Sequence, residues 1–166
     1  MTGPLLNRRR MVAGLALLPA ACSGDGTTGI AIPPRLDMLG LNRAQTPHDA
    51  LAAPPEWTPP PEIFTRQYPV PPDRLYATFR EMAAAQPRTW MLASYEQALQ
   101  LVFVVRSSVL NLPDLVTVQI LPDSKLVMWS RSVYDHYDFD ANLKRLEAWQ
   151  SALNARLPAA GTLLTN

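Results

Sequence analysis

From residue 73 onward the hydrophobic positions change period twice, and the changes mark out a run of elements. Leu75, Phe79 and Met82 recur at helical spacing with Tyr76 and Ala83 beside them, Pro72 and Asp73 favour a start, and Gln86-Pro87 closes the run, so a helix is predicted over 73–85. The stretches 90–95 and 99–107 are rich in Val, Leu and Phe and read as strands. Within 115–121, Val116, Val118 and Ile120 alternate with Thr117 and Gln119, the period-two pattern of a half-buried strand. Pro122-Asp123-Ser124 is a turn, because Pro pre-sets the first corner and Asp can bond its own backbone; 125–132 then returns as the partner strand of a hairpin. Leu143, Leu146, Trp149, Leu153 and Leu157 form an apolar stripe that Pro158 ends, and Asp138 and Asp140 precede it, where carboxylates complement free N–H groups and the positive end of the helix dipole. Helix, four strands, helix predicts an α+β domain over 66–158: a four-stranded antiparallel sheet with both helices on one face.

Upstream, residues 23–72 hold 11 of the 17 prolines, including Pro33-Pro34, Pro54-Pro55 and Pro59-Pro60-Pro61. That density removes backbone donors and fixes φ, so neither a helix nor a central strand is expected to run far. Residues 22–65 therefore read as a tether with polyproline character. Leu36, Met38, Leu39, Leu41, Trp57, Ile63 and Phe64 are too apolar for a pure spacer, and part of 30–65 is expected to lie across the domain as an irregular strap. Residues 159–166 read as a tail.

Residues 1–21 read as a signal peptide. Arg8, Arg9 and Arg10 make a cationic start, and 11–18 is an almost unbroken apolar run, shorter than the roughly 20 residues a membrane-spanning helix needs. The run ends in Leu18-Pro19-Ala20-Ala21-Cys22, and Cys22 is the only cysteine. Small residues before a lone cysteine resemble the bacterial lipobox, with Pro19 standing where a Leu is usual. This implies an exported protein, anchored to the membrane by lipid on Cys22 and facing the periplasm. The plainer alternative is an ordinary signal peptide with an incidental cysteine. Arg9-Arg10-Met11-Val12 also resembles a twin-arginine signal, so the export route stays open.

Loss of the signal removes three basic residues and no acidic ones, leaving 12 Lys and Arg against 14 Asp and Glu. No basic field argues for nucleic acid. With no second cysteine and two His without Cys partners, no disulfide, metal site or cofactor is expected. Thiolate chemistry also drops out if Cys22 is spent on lipid.

The polar residues that interrupt the apolar runs are Arg88 and Thr89 entering the first strand of 66–158, Arg106-Ser107 ending the second, Pro113-Asp114 opening the third and Ser130-Arg131-Ser132 ending the fourth. Asp138, Asn142 and Arg145 surround the start of the last helix. An up-and-down meander would gather these at one end of the sheet. At the same residues the chain resembles the bacterial envelope and plastid family known as domain of unknown function 1499. The resemblance rests on Gln86-Pro87-Arg88-Thr89, on Arg106-Ser107 with Pro113-Asp114, and most specifically on Ser130-Arg131-Ser132 followed by Asp138, Asn142, Arg145 and Trp149. Upstream, Thr46-Pro47-His48-Asp49-Ala50-Leu51 looks like the family segment where a Pro-Asn pair is common. The similarity spans about 35–157 and implies no assigned activity. His48 replaces the common Asn, and Asp135 and Asp140 stand where the family tends to have Gly. Asp tolerates the left-handed conformation, so the fold survives the change, but its charge argues against an anion bound to that backbone.

The expected role of Arg131, Asp138, Asn142 and Arg145 is structural, with Asp138 capping the helix, Asn142 bonding the loop, and the arginines pairing with Asp114 or Asp138. Recognition of a polar ligand or partner chain is the alternative. Ser132, His136 and Asp138 resemble a catalytic trio only in composition: all lie within one loop, without an elbow glycine or oxyanion donor. A non-catalytic binding or assembly module is thus the leading expectation. A small-molecule carrier, with Trp90, Phe103 and Trp129 lining a pocket on an uncovered sheet face, and a hydrolase are its rivals.

Overall fold

A computed structural model describes residues 26–43, 48–134 and 140–158 of the chain. It is an α+β domain of two helices and a six-stranded mixed sheet. The elements are β1 (Asp49–Ala53), β2 (Ile63–Phe64), α1 (Pro72–Ala84), β3 (Thr89–Tyr95), β4 (Gln100–Arg106), β5 (Pro113–Ile120), β6 (Leu126–Ser132) and α2 (Ala141–Arg156). Both helices and the four strands of the meander stand where the hydrophobic periods put them. The sheet runs β2-β1-β6-β5-β4-β3.

The sheet is thus wider than the expected four strands. β1 comes from the proline-rich segment and pairs antiparallel with β6, Leu51 opposite Trp129, and β2 adds parallel to β1. Prolines 54, 55, 59, 60 and 61 fall in the crossover between them, where no ladder bond is needed. β1 reads as Asp-Ala-Leu-Ala-Ala and is buried along its last four residues, so it lacks the polar alternation that betrays a half-exposed strand.

On one face α1 and α2 cover the sheet. Leu75, Phe79 and Met82 of α1 and Leu146, Trp149 and Leu153 of α2 meet Leu101, Phe103, Val116, Val118 and Met128. Phe103 sits between Phe79 and Trp149, with ring centroids 6.4 and 5.6 Å away, and Phe79 and Trp149 are 5.9 Å apart. α1 starts well because Pro72 fills the first helical position, where a missing N–H costs nothing.

The other face is not open. The strap crosses it: Met38 and Leu41 pack on Leu51, Ala53, Val127 and Trp129, with Leu36 and Trp57 alongside. Fully buried Gln100 treats the strap almost as a strand, accepting from Leu36 N (2.8 Å) and donating to Leu36 O (2.7 Å). Farther along, Ile30 packs against Val102, Val104 and Leu115. The strap therefore supplies the second apolar layer that a sheet this hydrophobic on both faces requires.

Candidate functional site

Antiparallel pairing brings the start of β1, the end of β6, the start of β5, the end of β4 and the start of β3 to one end of the sheet. All the described candidate residues are at this end, and side-chain alternation divides them into three groups.

Asp114, Ser130 and Ser132 point to the helix side, in register with the core residues Val116 and Met128 of the same strands. Asn142 and Arg145, three apart on α2, reach them from above. Arg145 Nη2 meets Asp114 Oδ2 at 2.6 Å, while Nη1 donates to Asn142 Oδ1 (2.7 Å) and Ser130 Oγ (2.8 Å). Ser130 Oγ donates to Asn142 Oδ1 at 2.6 Å. Asn142 Nδ2 donates to the His48 carbonyl (2.7 Å) and to Ser132 Oγ (3.3 Å), so the side chain ties α2 to the entry of β1. Ser130 and Asn142 are fully buried and Asp114 nearly so. Asp114 Oδ1 is buried without a donor among the described residues. Ser130 faces an amide oxygen and a cation, neither of which can take its proton, so this geometry leaves it an ordinary hydroxyl.

Arg88 and Arg106 form a second group that binds backbone. Arg106 donates through Nε to Gly26 O (2.6 Å), through Nη2 to Thr28 O (2.8 Å) and through Nη1 to Asn111 O (3.0 Å). Arg88 donates to Arg106 O at 2.9 Å and to the Asn111 side-chain oxygen. Gly26 lies directly on the Trp90 indole, where even a methyl side chain would collide with the ring. Arg106 thus clamps the turn at 26–29 to the loop between β4 and β5.

Arg131 stands apart: the expected ion pair with Asp114 is not formed, because Arg145 holds that carboxylate, and the alternative partner Asp138 lies outside the described residues. Lying between Ser130 and Ser132, it must point to the opposite face, away from Asp114, and it lies over Trp129 with the guanidinium carbon 5.0 Å from the ring centroid. Its neighbour across the strands is Asp49, but that carboxylate is already held by Arg43 (2.8 and 3.0 Å) and by Trp129 Nε1 (2.5 Å), and Arg43 also meets Glu62 at 2.7 Å. Arg131 has no ion pair among the described residues, its Nε is buried without an acceptor, and burial pushes the guanidinium below its ordinary pKa. This Arg43–Asp49–Glu62 cluster gave no signal in the sequence, since its parts are separated by the proline-rich crossover.

The expected pocket of Trp90, Phe103 and Trp129 is not formed. Phe103 is buried in the helix-side core and Trp129 in the strap-side cluster, on opposite faces of the sheet. His136 and Asp138 lie outside the described residues, as does Cys22. Asp140 occupies the position before α2 without a side-chain cap bond. Among the described residues no His, Cys, Asp and Glu cluster could hold a metal, and no helix is long and apolar enough to cross a membrane.

A family model described as protein of unknown function (DUF1499) matches residues 40–153, more than half of the chain. The chain belongs to the DUF1499 family. No curated protein and no solved structure matches it. The matched DUF1499 segment runs from just before β1 into the last turn of α2, so it holds the whole sheet and the Asp114–Arg145 cluster. His48, just before β1, and Asp140, just before α2, both have φ of 62°. That is the left-handed region, which Asn, Asp and His tolerate better than most non-glycine residues, so both positions are conformationally demanding on backbone grounds alone.

Proposed function

We propose that this DUF1499 protein is an exported envelope lipoprotein, held at the membrane by diacylglycerol on Cys22, whose domain is a non-catalytic binding or assembly module facing the periplasm. The observation that carries the reading is the clamp on Gly26: Arg106 and Trp90 seize the chain four residues after the lone cysteine, so an anchor there would hold the domain close to the bilayer. Cys22→Ser should move the protein from the membrane to the soluble periplasmic fraction. A variant that stays on the membrane would show that lipid on this residue is not the tether.

Within the module, the recognition residue is Arg131. The Asp114–Arg145 cluster satisfies most of its groups internally, and Arg88 and Arg106 are engaged with loop oxygens. Arg131 carries a charge that no carboxylate of the described residues offsets, which suits it to an anionic group on a partner. Arg131→Ala should shift the melting temperature by no more than a degree or two, because about 1 kcal/mol moves a domain of this size by roughly 4–8 °C and no ion pair is lost. The same variant should lose whatever protein copurifies with the lipidated form from membranes. A large drop in stability with the copurifying partner retained would make Arg131 structural instead.

A further inference from the structure

We infer that the loop between β4 and β5, with Val109 and Leu110 at its tip, is the part of the domain that enters the bilayer; this rests on the lipid anchor proposed at Cys22. Val109 is 87% and Leu110 70% exposed, the one pair of consecutive large apolar residues so placed among the described residues. Single exposed apolar residues are ordinary on protein surfaces, whereas an adjacent pair projecting from a hairpin tip offers a continuous apolar contact. Tyr134, which follows β6 at the same end of the sheet, is 54% exposed and has the amphipathic ring that suits a membrane interface.

The placement of the anchor turns this tip into a docking surface. One guanidinium, that of Arg106, binds both the turn at Gly26 and Thr28 and the loop at Asn111, so the point where the described chain begins and the tip share one corner of the domain. Gly26 is four peptide steps from Cys22. Even fully extended they span at most about 14 Å, at roughly 3.3–3.6 Å per residue. A lipid on Cys22 therefore keeps this corner at the headgroups, while the turn at Asp123, at the opposite end of the strands, is directed away.

Charge agrees with apolarity. Arg88 and Arg106 flank the tip and donate to carbonyl and amide oxygens rather than to carboxylates, so no ion pair among the described residues offsets either guanidinium beside the bilayer. Guanidinium groups with remaining N–H donors suit phosphodiester headgroups, above all anionic ones. The lipid supplies attachment; the tip and its arginines set how the domain stands on the surface.

The test uses the lipidated full-length protein in vesicles of phosphatidylethanolamine and phosphatidylglycerol. With Cys22 acylated, an introduced cysteine is the only free thiol, so Leu110→Cys and Asp123→Cys can each carry a nitrobenzoxadiazole probe. The Leu110→Cys probe should shift to the blue and be quenched by lipids with brominated acyl chains, and the Asp123→Cys probe should do neither. Intact mass reports the acylation separately. An acylated protein whose Leu110→Cys probe stays in water, or responds no more than Asp123→Cys, overturns the docking surface alone. A mass without acyl chains overturns the anchor and the docking surface with it.

Discussion

Arg145→Ala is expected to cost the domain a large share of its stability. The substitution strips Asp114 of its only ion-pair partner among the described residues and leaves a carboxylate of 6% side-chain exposure in the core, with one oxygen already lacking a donor there. Breaking a buried pair from one side costs about 3–5 kcal/mol, because the remaining charge has no water and no counterion. Ser130 and Asn142 lose a donor at the same time. Against a total stability of about 5–15 kcal/mol for a domain, a large share of the margin disappears. Urea denaturation should show the midpoint falling with little change in slope. The double variant Arg145→Met with Asp114→Leu should recover most of the loss, since no charge is then stranded. If Arg145→Ala alone melts like the parent, the pair is not structural and Asp114 belongs to a binding site.

The pair itself was within reach of the sequence. A meander of four strands forces the start of β5 and the end of β6 to the same end as the following helix, and Asn142 and Arg145 share one side of that helix by their spacing. Strand parity also bears on Arg131. Ser130, Arg131 and Ser132 are consecutive in a strand, so the arginine had to face away from its two neighbours, and parity alone separates it from Asp114. What lay beyond reach was its occupied neighbour: Asp49 is taken by Arg43 and Trp129 through contacts between segments with no common pattern.

The edge of the sheet was hidden for a different reason. β1 is flanked by prolines and made mostly of alanine, a residue depleted in strands, so local preference pointed away from a ladder that only pairing with β6 stabilises. The strap's apolar residues were visible one by one, but Leu36, Met38 and Leu41 follow no period, and irregular backbone gives no clue to the face it covers. An uncovered face was therefore expected, and with it a pocket that mixed residues of both faces. β4 is buried along six of its seven residues, which is the mark of a strand covered on both sides.

Phe103→Ala should be the most damaging single truncation in the apolar core. The ring is completely buried in a central strand and touches the aromatic rings of both helices, Phe79 of α1 and Trp149 of α2. Its removal leaves a cavity whose walls belong to three elements, and these cannot all relax inward at once. Loss of a buried Phe costs about 3–5 kcal/mol, and tilted and edge-on aromatic contacts add about 0.5–1.5 kcal/mol each beyond area. Phe103→Leu, which keeps most of the volume but neither ring contact, should fall between the variant and the parent. Thermal melting of the three proteins should therefore rank parent, Leu and Ala in falling order, with both helices lost in one transition. Had the side chain lined a ligand pocket, truncation would remove crowding rather than packing; an Ala variant as stable as the parent would place Phe103 in such a cavity.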